Sequence, residues 1–190
     1  MMTTFDLKSR SCLKYHTNVI NCIVIILFIY LLQLYTKMEQ DKVEEYKVYS
    51  SRWLMLGLFC LLNMSNAVLW VTFAPITDIS SDYFDGASTT SINMLALIFQ
   101  IVYAPGTLVG VMATKKYGLR DTLIFGGVLN TIGALIRYIA TLCRAQVGPW
   151  GAYSLMMIGQ FFGALAQPIY VNLPATMAAD WFAVDERDIA

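Results

Sequence analysis

The sequence predicts an all-α membrane protein, and three observations support this fold class. Hydrophobic residues make up 57% of the 190 residues and charged residues only 14%, whereas a soluble domain carries roughly 25% charge. The mean hydropathy is +0.57. Long stretches contain no charged residue, and backbone in lipid must satisfy its own hydrogen bonds, which favours helices. The 13 basic and 13 acidic residues cancel, so no basic excess points to nucleic acid as a partner.

Five charge-free stretches are candidates for membrane spans. They contain 22, 25, 29, 15 and 35 residues between successive charged residues, and roughly 20 helical residues cross a bilayer core. One such stretch could be a buried helix of a large soluble core, but several in so short a chain could not. Arg137 interrupts the fourth stretch, and its long side chain could reach toward the membrane surface. The predicted spans are residues 19–36, 53–76, 92–113, 122–142 and 150–174.

Three parts of the chain are distinguished by composition. Residues 1–37 form an N-terminal extension whose apolar span resembles a signal peptide without a small-residue cleavage site, and translation could instead begin at Met38. Residues 38–52 mix acidic and basic side chains and are predicted to be a cytoplasmic segment. Residues 53–190 contain the four remaining spans and are predicted to form one membrane domain.

Basic residues set the predicted orientation, because cytoplasmic loops of membrane proteins are enriched in lysine and arginine. Eight basic residues fall on one side of the spans and a single one, Arg144, on the other. The protein is therefore predicted to be an integral, multi-pass protein of the lipid bilayer, in the plasma membrane rather than a lysosomal or other internal membrane. The predicted cytoplasmic segments are 37–52, 115–121 and 180–190, and the predicted outer segments are 77–91 and 143–149.

Polar residues inside the spans identify candidate inward faces. Asn63, Asn66 and Trp70 are spaced i, i+3, i+7 and share one helix face. Gln160 and Gln167 are seven residues apart on another span. Lipid does not tolerate such faces, so they should point toward other helices or a water-filled pathway. Trp70 has a further interpretation, because tryptophan is enriched in the aromatic belt at the membrane surface.

The sequence contains no recognisable catalytic or metal-binding pattern. Its one histidine is His16, its four cysteines form no CxxC pair, and its acidic residues fall in the predicted loops. The protein is therefore not expected to be an enzyme or to carry a cofactor.

Several short motifs follow one another in a fixed order over about residues 45–190. As a set, they resemble the feline leukaemia virus subgroup C receptor-related proteins, which are solute carrier family 49 of the major facilitator superfamily. Single motifs of this kind are weak, but their ordered set across four spans is specific. The motifs are YKVYSSRW at 46–53, SNAVLW at 65–70, YGLR at 117–120, LN at 129–130, GA at 133–134, GQ at 159–160, ALAQ at 164–167 and LPA at 173–175.

The resemblance implies a partial major facilitator fold, with helices one to four of twelve plus one extra N-terminal span. The loop at 115–121 resembles the signature loop of that superfamily, with Gly118 and Arg120 in matching places. Lys115 stands where the pattern has an acidic residue, so the cytoplasmic latch made by that acid is not expected here. Alternating access needs two halves, so the chain looks like an N-terminal fragment that does not transport alone. Its implied partners are the missing C-terminal helices or a full-length relative.

The resemblance also implies a substrate site. Members of the family are similar to choline importers and haem exporters, and in the choline-transporting members a helix-one tryptophan and a helix-four glutamine line the site. Trp70 and Gln167 fall on these positions. An indole face attracts a quaternary ammonium, and a neutral amide can hydrogen-bond a hydroxyl. With Asn63, Asn66 and Gln160, they form the predicted substrate-binding set for a small organic solute, either a choline-like cation or haem.

A second class of protein stays open on the sequence alone. The chain could be a non-transporting multi-span protein, such as a receptor, an adaptor, or a regulatory truncated isoform that binds its full-length relative. A tetraspanin-like organiser would need a large cysteine-rich outer loop, and the predicted outer loops are short. An adaptor would need no polar faces inside its spans, and this chain has two. Both features favour a carrier.

Overall fold

In a computed structural model of the protein, residues 51–182 are described, and every regular element among them is helical. The predicted all-α class is therefore confirmed over this range. The predicted extension 1–37, its apolar span 19–36 and most of segment 38–52 lie outside the described residues. The helices are α1 (Ser51–Val71), α2 (Thr77–Tyr83), α3 (Thr89–Leu142), α4 (Arg144–Asn172) and α5 (Pro174–Trp181), with a 3-10 turn at Ala74–Ile76.

Three helical stretches of the described part are long and apolar enough to cross a membrane by length and composition. They are Arg52–Tyr83, Thr89–Leu142 and Arg144–Asn172. The second has 54 residues, more than twice the roughly 20 that one crossing needs. It contains the predicted spans 92–113 and 122–142, and a single break in the helix separates them.

The break in α3 is Gly118, whose backbone has φ 86° and ψ 170°. Glycine adopts this conformation at little cost because it has no Cβ. A Cβ on Gly110 would lie 3.8 Å from Ile169, and a Cβ on Gly126 would lie 3.2 Å from the same side chain. Gly110 lies eight residues before Gly118 and Gly126 lies eight residues after it, yet both face Ile169 of α4. The two limbs of α3, residues 89–117 and 119–142, therefore lie side by side against α4.

A second glycine break separates the first residues of α4 from its membrane-length part. Gly148 has φ 76° and ψ 171°, and Pro149 follows it. Proline suits the first position of a helix, because it lacks the N–H that would be unpaired there. The long regular part of α4 therefore covers residues 149–172 and packs against α1 and α3.

Helix packing around α4 depends on backbone contact as well as on apolar side chains. A Cβ on Gly133 would lie 2.7 Å from the carbonyl oxygen of Gly159, so the second limb of α3 and α4 touch backbone to backbone. Small residues allow such close approach between membrane helices. Buried apolar side chains fill three clusters along α4, centred on Phe73, Phe84, Ile92 and Met156, on Leu69, Phe99, Ala134 and Ala164, and on Phe59, Leu62, Ile169 and Tyr170.

Arg144 joins the two predicted outer segments. Its Nε and Nη2 both donate to the carbonyl oxygen of Tyr83, at 2.9 and 2.5 Å. Its guanidinium carbon lies 4.5 Å from the centre of the Tyr83 ring, and its Nη2 lies 3.9 Å from a carboxylate oxygen of Asp85. The end of α2 is thereby fastened to the beginning of α4.

Candidate functional site

Two layers of polar contacts fasten α1 to the second limb of α3 and to α4. In the first, the asparagine layer, Asn66 Nδ2 donates to Asn130 Oδ1 and to the Gly163 carbonyl oxygen, each at 2.9 Å. Asn130 Nδ2 donates in turn to Ser65 Oγ at 3.3 Å. Asn66 is 1% exposed and Asn130 0%. These amides therefore bridge three helices inside the protein.

The second, the arginine layer, lies about one helical turn further along α1. Arg137 Nη1 donates to the Leu69 carbonyl oxygen and to Gln160 Oε1, both at 3.2 Å. The Arg137 guanidinium carbon lies 5.3 Å from the centre of the Phe73 ring, within reach of a cation–π interaction. Arg137 and Gln160 are each 0% exposed. This layer also joins α1, α3 and α4.

The sequence interpretation that Arg137 reaches toward the membrane surface is wrong, because its side chain is directed into the bundle. Two features on other helices cause this. Gly159 has no side chain, and a Cβ there would lie only 2.6 Å from Arg137 Cγ. Leu69 lies in the last turn of α1, where carbonyl oxygens lack helical partners and can accept from outside.

The charge of Arg137 is not balanced by a carboxylate among residues 51–182. Its Nε and Nη2 are buried and have no hydrogen-bond partner in this range. Burying a charge without full pairing costs stability, and ionisable residues inside membrane helices are commonly functional. Arg137 is therefore the most unusual side chain of the described bundle.

The five predicted substrate-binding residues separate into two groups. Asn66 and Gln160 are fully buried and occupied by the two polar layers. Asn63, Trp70 and Gln167 are half-buried, and none of their side chains forms a hydrogen bond within the described range. The second group therefore keeps its hydrogen-bonding groups and its indole face available to a ligand.

The three available residues lie along one junction between α1 and α4. Asn66 contacts Gly163 and Arg137 links Leu69 to Gln160, so the two helices run antiparallel with these positions level. Asn63 and Gln167 then lie about one turn from the Asn66 contact on the predicted cytoplasmic side. Trp70 lies about one turn away on the opposite side, against the cluster of Leu69, Phe99, Val102, Ala134 and Ala164.

Sequence reasoning did not select two residues that complete these layers. Asn130 and Arg137 both lie on the second limb of α3, and Gly133 lies between them. Their spacing is i, i+3, i+7, which is also the spacing of Asn63, Asn66 and Trp70 on α1. That shared spacing is the signal that could have identified them, since it marks a third polar face.

The signature-loop residues lie where the two limbs of α3 meet. Gly118 forms the break, Lys115 is exposed and Arg120 is half-buried. Lys115 borders a groove of about 300 Å³ between the first limb of α3 and α4, whose lining includes Gly110, Thr114, Ile169 and Asn172. The structure therefore joins the loop to the end of α4 predicted to be cytoplasmic.

Long apolar helices joined through buried amides and close glycine contacts are typical of polytopic membrane proteins. Residues 54–190 match the family profile described as Major Facilitator Superfamily. The chain belongs to this superfamily, and it is an integral, multi-pass membrane protein of a transporter family rather than an enzyme.

Curated relatives confirm the resemblance to solute carrier family 49. A protein named Solute carrier family 49 member A3 from Xenopus tropicalis is 33% identical over 149 residues, which is 77% of this chain and 30% of the relative. The protein of that name from Danio rerio is 35% identical over 79% of this chain and 31% of its own length. Choline/ethanolamine transporter FLVCR2 from Rattus norvegicus is 27% identical over 76% of this chain and 25% of its own.

The chain thus spans about 30% of the length of the first of these relatives. No solved structure matches it.

Proposed function

We propose that residues 53–190 form the N-terminal part of a major facilitator carrier that moves a small organic solute, a choline-like cation, by alternating access. One observation carries the proposal. Where α1 and α4 face each other, three half-buried side chains have an amide or an indole that forms no hydrogen bond within residues 51–182. They are Asn63, Trp70 and Gln167. Relatives named as choline/ethanolamine transporters support the same class of substrate.

The chemistry of these side chains suits a quaternary ammonium alcohol. The indole face of Trp70 attracts the ammonium through its quadrupole, and a desolvated pair of this kind contributes about 2 kcal/mol. The amide of Gln167, or that of Asn63, can hydrogen-bond the hydroxyl without placing a charge in the membrane. Asn66 and Gln160 belong to the predicted set, but to reach a ligand they would have to break their present hydrogen bonds.

Haem is the second candidate substrate, and it needs a wider cavity and an axial ligand such as histidine or tyrosine. Two tyrosines of α4 are not available for this role in the described arrangement. Tyr170 is 0% exposed, and the Tyr153 hydroxyl donates to the Ser91 carbonyl oxygen at 2.7 Å. Tyr103 and Tyr138 of α3 are half-buried and form no side-chain hydrogen bond within residues 51–182, so the preference for a choline-like cation rests on Trp70 and not on the tyrosines.

The proposal includes partners and a location. The carrier acts in the lipid bilayer of the plasma membrane, and this part of it works with the remaining C-terminal helices or with a full-length relative. In the second arrangement, the chain would act as a regulatory isoform rather than as a carrier. At the predicted cytoplasmic side, Gly118 allows the reversal of α3, while Lys115 takes the place of the acidic latch residue of the superfamily.

A chimaera tests the proposed function. Residues 51–182 replace the matching segment of the rat choline/ethanolamine transporter, and uptake of radiolabelled choline is measured in cells. The chimaera is expected to take up choline, and Trp70→Ala is expected to lower uptake roughly tenfold or more, because the cation–π contact is lost. Trp70→Phe, which keeps an aromatic face, should retain a measurable part.

Surface labelling controls for expression, and two further arms separate the alternatives. Inhibition of choline uptake by excess haem would indicate a shared site. Cells that express the 190-residue chain alone are expected to show no uptake. A chimaera that reaches the cell surface without taking up choline, or one that Trp70→Ala leaves unchanged, would contradict the proposal.

A further inference from the structure

We propose that Arg137 and Gln160 form a clamp that fixes the outer end of α1, and with it Trp70, against α4. The outer end is the last turn of α1, near Val71, which faces outward in the predicted orientation. The clamp makes Arg137 a positioning residue rather than a ligand of the substrate. Its relevance to substrate binding rests on the proposed function of Trp70.

The first argument is the identity of the atom that Arg137 holds. The Leu69 carbonyl oxygen, 3.2 Å from Arg137 Nη1, belongs to the peptide group that also contains the Trp70 backbone nitrogen. Because a peptide group is planar, a bond that fixes this carbonyl also fixes the backbone direction from which the Trp70 side chain starts. Gln160 Nε2 approaches the same oxygen at 3.5 Å, so two helices act on one peptide group.

The second argument is the room made for the arginine stem. Arg137 begins on the second limb of α3 and has to pass α4 to reach α1. A Cβ on Gly159 would meet Arg137 Cγ at 2.6 Å and the Arg137 backbone nitrogen at 3.1 Å. The absence of a side chain at this one position allows the guanidinium to lie between Gln160 and Leu69.

The third argument is the incomplete pairing of the guanidinium. Maximum stability would favour an apolar side chain here, because replacing a buried charge by an apolar group of similar volume is often neutral or stabilising. Arg137 instead leaves Nε and Nη2 without acceptors in the described range, while Nη1 bridges α1 and α4. We therefore attribute to Arg137 the role of bridging the Leu69 carbonyl oxygen of α1 and the Gln160 amide of α4.

The clamp is tested on the full chain with Trp70 as its sole tryptophan, after Trp53, Trp150 and Trp181 are replaced by phenylalanine. Quenching of Trp70 fluorescence by acrylamide is measured in lipid nanodiscs. Arg137→Met and Gln160→Leu are each expected to raise the quenching constant at least twofold, because the last turn of α1 is released. Arg137→Lys, which keeps a donor, should recover at least half of the protection.

Two variants of α4 sharpen the test. Gln160→Glu places a carboxylate at the acceptor position of Arg137 and should hold Trp70 at least as firmly as the parent chain does. Gln167→Leu makes the same amide-to-apolar change as Gln160→Leu two turns along the helix, away from Arg137, and should leave the quenching constant unchanged. Circular dichroism reports whether each variant is folded.

The clamp is overturned if folded Arg137→Met or Gln160→Leu leaves the quenching of Trp70 unchanged, or if Gln167→Leu raises it equally. Should Arg137→Met not fold, the two Gln160 variants decide the question alone. Choline added as a probe separates the clamp from the proposed function. If Arg137→Met or Gln160→Leu raises the quenching constant but neither the chain nor the chimaera recognises choline, the clamp is supported and the proposed substrate is refuted. If these variants leave the quenching unchanged while choline uptake by the chimaera depends on Trp70, only the clamp is refuted.

Discussion

Replacement of Gly159 by alanine is expected to destabilise the protein by about 2–3 kcal/mol, the cost of overpacking a tightly packed core. The added Cβ would lie 2.6 Å from Arg137 Cγ and 2.8 Å from the Gly133 carbonyl oxygen. A backbone oxygen cannot move aside as the end of a flexible side chain can, so α3 and α4 would have to separate. Thermal unfolding in detergent micelles, followed by circular dichroism, measures the loss.

Gly57→Ala is the matched control for this prediction. Gly57 lies in α1, and a Cβ there would meet nothing within 4 Å. Because alanine is the better helix former by roughly 1 kcal/mol, this variant should be neutral or slightly more stable. Equal losses for Gly57→Ala and Gly159→Ala would contradict the close backbone contact between α3 and α4.

Asn66→Leu is expected to cost about 1–2 kcal/mol, in the range of a buried hydrogen bond between membrane helices and the penalty of its unsatisfied partner. The change removes the donor to Asn130 Oδ1 and to the Gly163 carbonyl oxygen. The Asn130 amide oxygen would then be buried without this donor. Unfolding by increasing sodium dodecyl sulfate in mixed micelles gives the difference in free energy.

Asn63→Leu is the control for Asn66→Leu, since it makes the same exchange one turn away on the same helix. Asn63 is half-buried and forms no hydrogen bond within residues 51–182. Its replacement should therefore change the free energy of unfolding by less than about 0.5 kcal/mol. A larger loss for Asn63→Leu than for Asn66→Leu would mean that the asparagine layer is not the main polar link of α1.

The membrane helices could be predicted because their main signal is local. Stretches without charge mark residues that lipid accepts, and their length alone indicates a crossing. The loop at residues 115–121 could be predicted in the same way, because Lys115, Lys116 and Arg120 interrupt the apolar stretch, and the chain reverses within it at Gly118.

The candidate site was harder to predict because its details depend on contacts between helices. Asn63 and Asn66 have the same side chain on neighbouring parts of one face, yet Asn66 is buried because Asn130 and Gly163 lie opposite it. Arg137 turns inward because Gly159 leaves space and Leu69 offers a free carbonyl. The spacing of polar residues within one span marks a polar face, but it does not identify the partners that this face meets on the other helices.

The contacts of Arg144 have a mechanical consequence for the outer surface. Because two of its nitrogen atoms hold the Tyr83 carbonyl, the short helix α2 and the beginning of α4 are linked as one unit. A force or a binder applied to the segment around Asp85 is therefore transmitted to the first residues of α4, and the glycine break at Gly148 separates these from the long part of the helix.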